Sequence, residues 1–394
     1  MKIHNTIRWE KLSPSDGHYF FGYYDRAAWN EENSLHLALK APQAERLPQP
    51  GEKAEVGVLD RSGKFEKLAE TRAWCHQQGS MTLWLKHQPE SFIFNDWDEK
   101  EGKLISRIYS LKKGLTGFYP FPVYAMSPDG RYGATLNFAR IPRRGYSYAD
   151  AKLDVSQPDL DRDGIFIIDM QSGKTSLAAS YRKIFELHPA AYILEEKHIW
   201  TNHIIFNCAS SRILFLLRHC ENPREPSPWQ TYMYTVNIDG SEPACPLPEF
   251  YWKNMISHQI WGRTPHEVLI DANWQNKGSE YVVFDERNSP LHARRISRGM
   301  GPMGHLIFSP DGKWMLADTY PVKNIQTLAL VNAGDGTFRE IGYFRHEQAA
   351  DYPGEVRCDL HPRWSHDGTL ISVDSIHDGK RGIYSCQMKN CLNT

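Results

Sequence analysis

The chain has 394 residues, too many for one ordinary core, so two domains or one large repeat architecture is expected. A net charge of −1 with no basic stripe excludes the electrostatic footprint of a nucleic-acid binder, and no run approaches the roughly 18 apolar residues of a membrane helix. Seven cysteines at irregular spacing, with no C-x-x-C pair, exclude a disulfide framework.

The first residues, MKIHNTIRWEKLSPSDG, show no basic start followed by an apolar stretch. No signal peptide is visible, and a cytoplasmic location is expected, or a periplasmic or secreted one had a leader been removed. Within this segment, Thr6–Leu12 is predicted as a strand that completes the last repeat of the chain and closes a ring.

The predicted repeats then begin near Tyr19, Ala73, Gly117, His198, Met255, Met303 and Val356. Three carry the same phrase: MSPDGRYGATLNF (126–138), FSPDGKWMLADTY (308–320) and WSHDGTLISVDSI (364–376). Each places Ser-x-Asp-Gly before an alternating apolar strand, and Asp-Gly marks a hairpin because glycine takes positive φ without strain. A second glycine turn recurs later in each unit, as in VLDRSGKFEKL (58–68), IIDMQSGKTSL (167–177), TVNIDGSEP (235–243) and LVNAGDGTFREI (330–341). The third repeat carries an insertion at about 140–162, followed by a short helix or loop at Ser180–Lys197. Four antiparallel strands at a period of roughly 40–50 residues describe a propeller blade. The chain is therefore read as all-β: a seven-bladed β-propeller spanning 1–394 as one domain. The period fits two packed β-sandwiches less well. Most of the 12 Trp and 19 Tyr are expected to pack between sheets, with some free to stack on a sugar.

In a propeller the innermost strand of each blade lines a central channel. Four successive blade starts read TNHIIF, ISHQIW, MGHLIF and DLHPRW, placing His203, His258, His305 and His361 at equivalent positions. Imidazoles converging on one point build a divalent transition-metal site. Asp359, two residues before His361, faces the same side on a regular strand and is a natural further ligand, whereas Cys358 faces away. The alternative is that these histidines hydrogen-bond the inner strands together across the channel without a metal.

A second set belongs to the earlier blades. CHQQGSMTLW holds His76, and FIFNDWD holds Asn95 and Asp96. LNFARIPRRGYSYAD brings Arg140, Arg143, Arg144, Tyr146 and Tyr148 into one loop, and LFLLRH ends in Arg218 and His219. Guanidinium forks match carboxylates bidentately, so this loop suits an acidic ligand. Arg143 and Arg144 also read as an ordinary solvated loop, while Arg140, next to the strand, is better placed to point inward. Histidine, tyrosine and arginine around a carboxylated sugar suit β-elimination. A cation pairs with the carboxylate and stabilises the enolate-like charge, a His or Tyr takes the C5 proton, and an acid protonates the leaving oxygen. Hydrolysis would need two carboxylic acids flanking the bond, and no obvious pair stands at the blade starts.

Several segments resemble those of the seven-bladed propeller polysaccharide lyases, a group that includes oligogalacturonate, ulvan and rhamnose–glucuronate lyases. They are FFGYYDRAAW (20–29), HQQGSMTLWL (76–85), FNDWD (94–98), YAMSPDGRYGATLNFAR (124–140), GHLIFSPDGKWMLADTYP (304–321) and RCDLHPRWSHDG (357–368). The motifs are closer to the ulvan and rhamnose–glucuronate branch than to the oligogalacturonate branch. The resemblance implies a lyase acting on a uronic-acid-containing oligo- or polysaccharide. It implies His76 as base or charge stabiliser, with Asn95 or Asp96 where that branch has a second His. It further implies Tyr146 or Tyr148 as proton-transferring group, Arg140 or Arg218 as carboxylate partner, and His203 as a further base. In the oligogalacturonate branch a manganese sits on blade-start histidines. By that likeness His258 and His361 are implied as ligands, with Asp359 where the branch has a further His. The expected metal site is thus His258, His305, Asp359 and His361, holding a divalent ion such as Mn, Zn or Ca. Partners are an acidic oligo- or polysaccharide, with no nucleic acid and no membrane. The competing readings are a non-catalytic glycan- or protein-binding propeller and a glycoside hydrolase.

Overall fold

A computed structural model describes residues 7–247, 256–273, 279–288, 292–300, 304–346 and 354–392. Seven antiparallel sheets follow one another along the chain and close into a seven-bladed β-propeller. Six sheets have four strands; the fourth blade has three among the described residues, and a bridge between Thr235 and Ala244 lies at its outer edge. The innermost strands are His18–Phe20, Leu83–Trp84, Ala125–Met126, His198–Phe206, Ile256–Trp261, Leu306–Phe308 and Arg363–Trp364. The ring closes as expected: Glu10–Lys11 is the outermost strand of the last blade, pairing Glu10 with Ser385 and Lys11 with Tyr384. No helix among the described residues is long and apolar enough to cross a membrane.

The Ser-x-Asp-Gly phrase has a local cause. In the third blade Ser127 Oγ donates to Asp129 Oδ1 at 2.6 Å and accepts from the Tyr132 N–H, while Asp129 accepts from the Arg131 N–H. Ser309–Asp311 and Ser365–Asp367 repeat the pattern. The glycine that follows has φ between +67° and +74° in all three turns. The side chains thus close the hairpin before any blade packs, which is why the motif marks the repeat so well.

Three blade boundaries fall later than the sequence implies. Residues 72–82 form a crossover loop, so the second blade starts at Leu83 rather than Ala73. Gly117 belongs to the outermost strand of that blade, paired with Ile108, and the third blade starts at Ala125. The last blade starts at Arg363 rather than Val356, and all three innermost strands have only two residues, too short for an alternating pattern to reveal. The starts proposed at Met255 and Met303, and Thr6 of the closing strand, lie outside the described residues. The insertion joins the second and third strands of the third blade, Tyr132–Thr135 and Gly164–Asp169. The stretch after it forms the helix Tyr181–Leu187 and a 3-10 turn at Ala191–Leu194.

Connectivity sorts the loops onto two faces. The hairpins joining first and second strands lie on one face. The loops joining second and third strands, together with the blade-to-blade crossovers, lie on the other. Segments 42–53, 72–82, 136–163, 221–229, 319–324 and 354–362 therefore gather at one mouth of the channel. Trp29, Trp74 and Trp200 are fully buried, as expected of rings packed between blades.

Candidate functional site

The channel histidines are aimed by irregular backbone rather than by a regular pleat. His203 lies in a bulge between Asn202 and Ile205, and His258 in the matching bulge between Ser257 and Ile260. His305 and His361 immediately precede their innermost strands. His203, His258 and His361 have φ of +57°, +51° and +43°. That left-handed region costs a non-glycine residue about 1–3 kcal/mol, and such strain collects where a side chain must be aimed. The pleat expected to put Asp359 and His361 on one face is absent, because 359–362 is not a strand.

The four rings nevertheless converge. His305 stands at the centre, its ring centroid 4.3 Å from His258 and 4.4 Å from His361. His203 reaches the group through Tyr23, whose ring meets His203, His305 and His361 at 5.7, 5.8 and 5.0 Å. Ligand atoms of His305, Asp359 and His361 lie within 4.8 Å of one another, all three residues buried. His258 stands beside this set but outside it, and so does Cys358.

These residues fit a divalent cation. His258 Nδ1 and His361 Nε2 are buried and find no hydrogen-bond partner, an expensive condition unless something else occupies them. Asp318 grips His305 from two sides: it accepts from the His305 backbone N–H at 2.5 Å and lies 3.1 Å from Nδ1. A carboxylate on one ring nitrogen, leaving the other for the channel, is the support metal-bound histidines have. Asp359 accepts both Arg357 Nε and Nη2, at 2.6 and 2.9 Å, and two-oxygen carboxylates retain lone pairs beyond that. Burial, reinforced by His305, holds the His258 and His361 imidazoles well below their ordinary range. Burial likewise takes His203 down to about 4. These rings are neutral at pH 7, the form that ligates metal or accepts a proton.

A half-exposed shell of aromatic and cationic groups surrounds the mouth. The Tyr320 hydroxyl shares a hydrogen bond with His258 Nε2 at 3.2 Å, and the Arg357 guanidinium lies 4.0 Å from the Tyr320 ring centre. Burial and then the Asp359 carboxylate push the Tyr320 phenol up. Arg218 Nη1 donates to the Tyr146 hydroxyl at 2.8 Å. Its charge lowers the proton affinity of His203, His258, Tyr23 and Tyr320, so it lies near the same group. Arg144 stacks on Trp229 at 3.8 Å and pairs with Glu355 at 2.8 Å. Three arginines, two tyrosines and a tryptophan therefore frame an opening above neutral histidines.

No family model matches the chain, and no curated protein matches it. Solved structures do. An oligogalacturonate lyase in complex with manganese superposes with a TM-score of 0.67 at 15% identity, over 97% of this chain and 93% of that one. The chain shares its fold with oligogalacturonate lyase. The enzyme of that name from Vibrio parahaemolyticus gives a TM-score of 0.63 at 13% identity, over the same shares of the two chains. A prolyl endopeptidase matches with a TM-score of 0.52 at 9% identity, over 98% of this chain and 49% of that one. Both lyases belong to the oligogalacturonate branch, whereas the motifs lean toward the other; at these identities the likeness is one of fold.

The motifs that carried the resemblance now have physical roles. Gly22 of GYYD has φ +132°, and a Cβ there would stand 2.7 Å from the Gln78 carbonyl carbon. A Cβ on Gly79 would stand 2.4 Å from the Phe21 oxygen. GYYD and QQG are thus pressed backbone to backbone. Tyr124 links this contact to the site, since Gln78 Nε2 donates to its hydroxyl at 3.0 Å and the hydroxyl accepts the His203 N–H at 2.8 Å. Gln77 Nε2 donates to the Arg357 carbonyl at 2.9 Å, and its N–H donates to Gly145 O.

The remaining predicted residues are held elsewhere. Arg140 is 1% exposed and donates through Nε to Ile199 O at 3.1 Å and through Nη1 to Ser156 O at 2.9 Å. Tyr148 stacks on Phe138 at 5.0 Å, and its hydroxyl accepts from Asn95 Nδ2 at 3.1 Å. Asn95 also accepts from Ser106 Oγ and the Val123 N–H. Asp96 pairs with Arg107 at 2.5 Å. His76 donates through Nε2 to Arg46 O at 2.7 Å, beside the Trp74 ring, and burial takes it down to about 3. Arg143 donates to Pro48 O and pins the 42–53 loop to the insertion. Tyr23, Tyr24, Tyr320, Arg357 and Trp229 were not singled out in the sequence. GYYD, the repeat FSPDGKWMLADTY and RCDLHPRWSHDG carried Tyr23, Tyr24, Tyr320 and Arg357 only as parts of motifs, and nothing marked Trp229.

Proposed function

We propose that this propeller is a lyase that cleaves uronic-acid-containing oligo- or polysaccharides by β-elimination at the His258–His305–His361 mouth. The observation that carries this reading is the pair of neutral imidazoles, His258 and His361, each with one buried ring nitrogen lacking a partner, with the Arg218 charge acting on His258. A base and a carboxylate clamp are thus available to one substrate.

Arg218 binds the uronate carboxylate, and its positive charge stabilises the charge that develops as C5 loses its proton. The hydrogen-bonded pair of His258 and Tyr320 takes that proton, His258 being neutral at the pH of the reaction. Tyr146, bonded to Arg218, fixes the guanidinium and offers a hydroxyl to the leaving oxygen. His305, Asp359 and His361 would hold a divalent cation, His258 standing by. Such an ion supplies Lewis-acid neutralisation of the substrate carboxylate. His203 lies behind Tyr23 as a further neutral imidazole. Trp229 and Arg144 offer a flat face to a neighbouring sugar ring. Elimination is favoured over hydrolysis because the site's carboxylates are engaged, Asp359 by Arg357 and Asp318 by His305.

The deciding assay incubates the purified chain with a panel of uronic-acid glycans, with and without manganese, zinc or calcium, and follows near-ultraviolet absorbance of the unsaturated product. A rise with one glycan is expected, dependent on one metal. New reducing ends without that chromophore would make the protein a hydrolase. Sugar binding with neither product would make it a binding propeller.

A further inference from the structure

Two of the seven free cysteines touch. Cys386 and Cys391 hold their Sγ atoms 3.7 Å apart, and both are buried. Cys386 lies in Gly382–Gln387, the strand of the last blade on which the ring-closing strand Glu10–Lys11 pairs. At Gln387 the chain turns into a short helix, Met388–Leu392. Helical side chains lean toward the N-terminus of their helix. Cys391 therefore points back over Gln387, whose carbonyl its Sγ meets at 3.9 Å, and onto Cys386. Two blades hold this helix. The Met388 N–H donates to Thr369 O at 2.8 Å within the last blade. Arg339, from the blade before, donates through Nη1 to Cys391 O and Leu392 O at 3.0 and 2.9 Å. Connectivity puts the seam on the face opposite the histidine mouth.

The surroundings give the two thiols different parts. A hydrogen bond from Cys386, aided by the Arg339 charge, holds the Cys391 thiol below its ordinary range; the same bond, with burial, pushes Cys386 up. The thiolate is the attacking species in disulfide exchange, so Cys391 attacks and Cys386 resolves. A disulfide bond is about 2.05 Å long, and sulfurs already in contact reach it by rotating side chains rather than by moving the strand. While the helix is docked, burial keeps an oxidant out. A single helical turn held by so few outside bonds, with Leu392 44% exposed, opens locally at little cost and bares both thiols together.

We propose that Cys386 and Cys391 form a reversible disulfide that staples the short helix to the ring-closing blade. The co-reactant is a small disulfide such as oxidised glutathione. The Cys391 thiolate attacks one of its sulfurs, forming a mixed disulfide and releasing one small thiol. Cys386 then attacks Cys391 Sγ and releases the second. The protein thiols give up two protons and two electrons, and the small disulfide takes them to become two thiols. The link locks the seam beside the ring closure and does not depend on the reaction assigned to the histidine mouth.

The test treats the folded, full chain with oxidised glutathione, blocks the remaining thiols with iodoacetamide, digests with trypsin and weighs the peptides without reductant. Cleavage after Arg381 and Lys389 leaves the two cysteines on separate peptides, 382–389 and 390–394. These are expected as one joined species that dithiothreitol separates. Cys208, which is exposed, should carry glutathione and so report that the oxidant was active. The oxidised chain should melt about 2–4 °C higher than the reduced one, the scale of a short-loop disulfide in a chain of this size. Cys386→Ser should lose that shift, with Cys391→Ser in its place should the first not fold. Both peptides recovered alkylated, either one capped with glutathione alone, a link to another cysteine, or a link that leaves the melting temperature unraised overturns the proposal.

Discussion

Two groups of polar residues sit on the same face of the propeller and differ in what holds them. His203, His258, His305 and His361 come from four successive blades and meet at the axis, where two ring nitrogens are left without partners. Arg140, Tyr148, Asn95 and His76 come from the second and third blades and are each tied to nearby backbone or core: Arg140 to Ile199 O and Ser156 O, Tyr148 to Phe138 and Asn95, His76 to Arg46 O. Symmetry brings the first group together whatever the loops do. Nearness in sequence brought the second group to notice, and the insertion's own folding then used those side chains for itself. Polar side chains with unmet bonds are the better guide to chemistry than polar side chains in a crowd.

The largest effect expected from breaking this comparison is at its centre. His361→Ala removes one member of the metal-capable set and leaves His305 and Asp359. Turnover should fall to background, and manganese should no longer raise the melting temperature. Retained turnover together with retained metal stabilisation would dissolve the site. The next contrast sets the two arginines against each other. Arg218→Ala should cost about 10²–10³-fold in kcat/KM, the scale of one transition-state charge contact, with little change in melting temperature. Arg140→Ala should do the reverse: it takes a donor from the buried Ile199 carbonyl, at about 1–3 kcal/mol, and should lower stability while sparing turnover per folded molecule. If Arg140→Ala instead abolishes turnover in a fully folded protein, the clamp was assigned to the wrong arginine.

Much of the fold was legible because its signals are local. Ser127, Ser309 and Ser365 close their hairpins with bonds inside six residues, so the repeat stands out in the sequence. The histidines were legible because a period of blades implies a common axis. Their aim was not, since it depends on bulges at 202–205 and 257–260 and on positive φ, which no alternating pattern reveals. Tyr320 and Arg357 were illegible for another reason. They reach the site by stacking on each other and by the Tyr320 bond to His258 across blades, while Arg357 pairs with Asp359 two residues on. Arg140 misled because the 3-10 turn Phe138–Arg140 rotates it into the protein.

Acid sharpens the comparison with a smaller effect. His203 is held near 4 and His76 near 3, against an ordinary value of 6.5, in both cases chiefly by burial. Below pH 6.5 the unfolded chain takes up protons that these folded rings refuse. Stability is therefore complete above 6.5 and is lost progressively as pH falls toward 4. Melting temperature should decline over that window, and stabilisation by manganese should decline with it, because protons compete for the ligating nitrogens. A flat profile between pH 7.5 and 5 would mean that the channel is wetter than its packing implies.

His76→Ala has the smallest expected effect and separates the two groups most cleanly. The resemblance to other lyases casts His76 as base or charge stabiliser, whereas its surroundings are those of a strut: Nε2 on Arg46 O, the ring against Trp74, and burial on every side. If it is a strut, alanine loosens the 42–53 loop, lowers the melting temperature by a few degrees and removes one histidine's share of the acid sensitivity. KM should rise modestly, because that loop helps frame the mouth, and kcat should hold. If it is the base, kcat falls by about 10²-fold or more and the pH profile loses its acid limb, with the melting temperature nearly unchanged. The two outcomes move opposite observables. One variant, read for both kcat and melting temperature, therefore tells whether catalysis belongs to the axial histidines alone or extends into the early-blade loops.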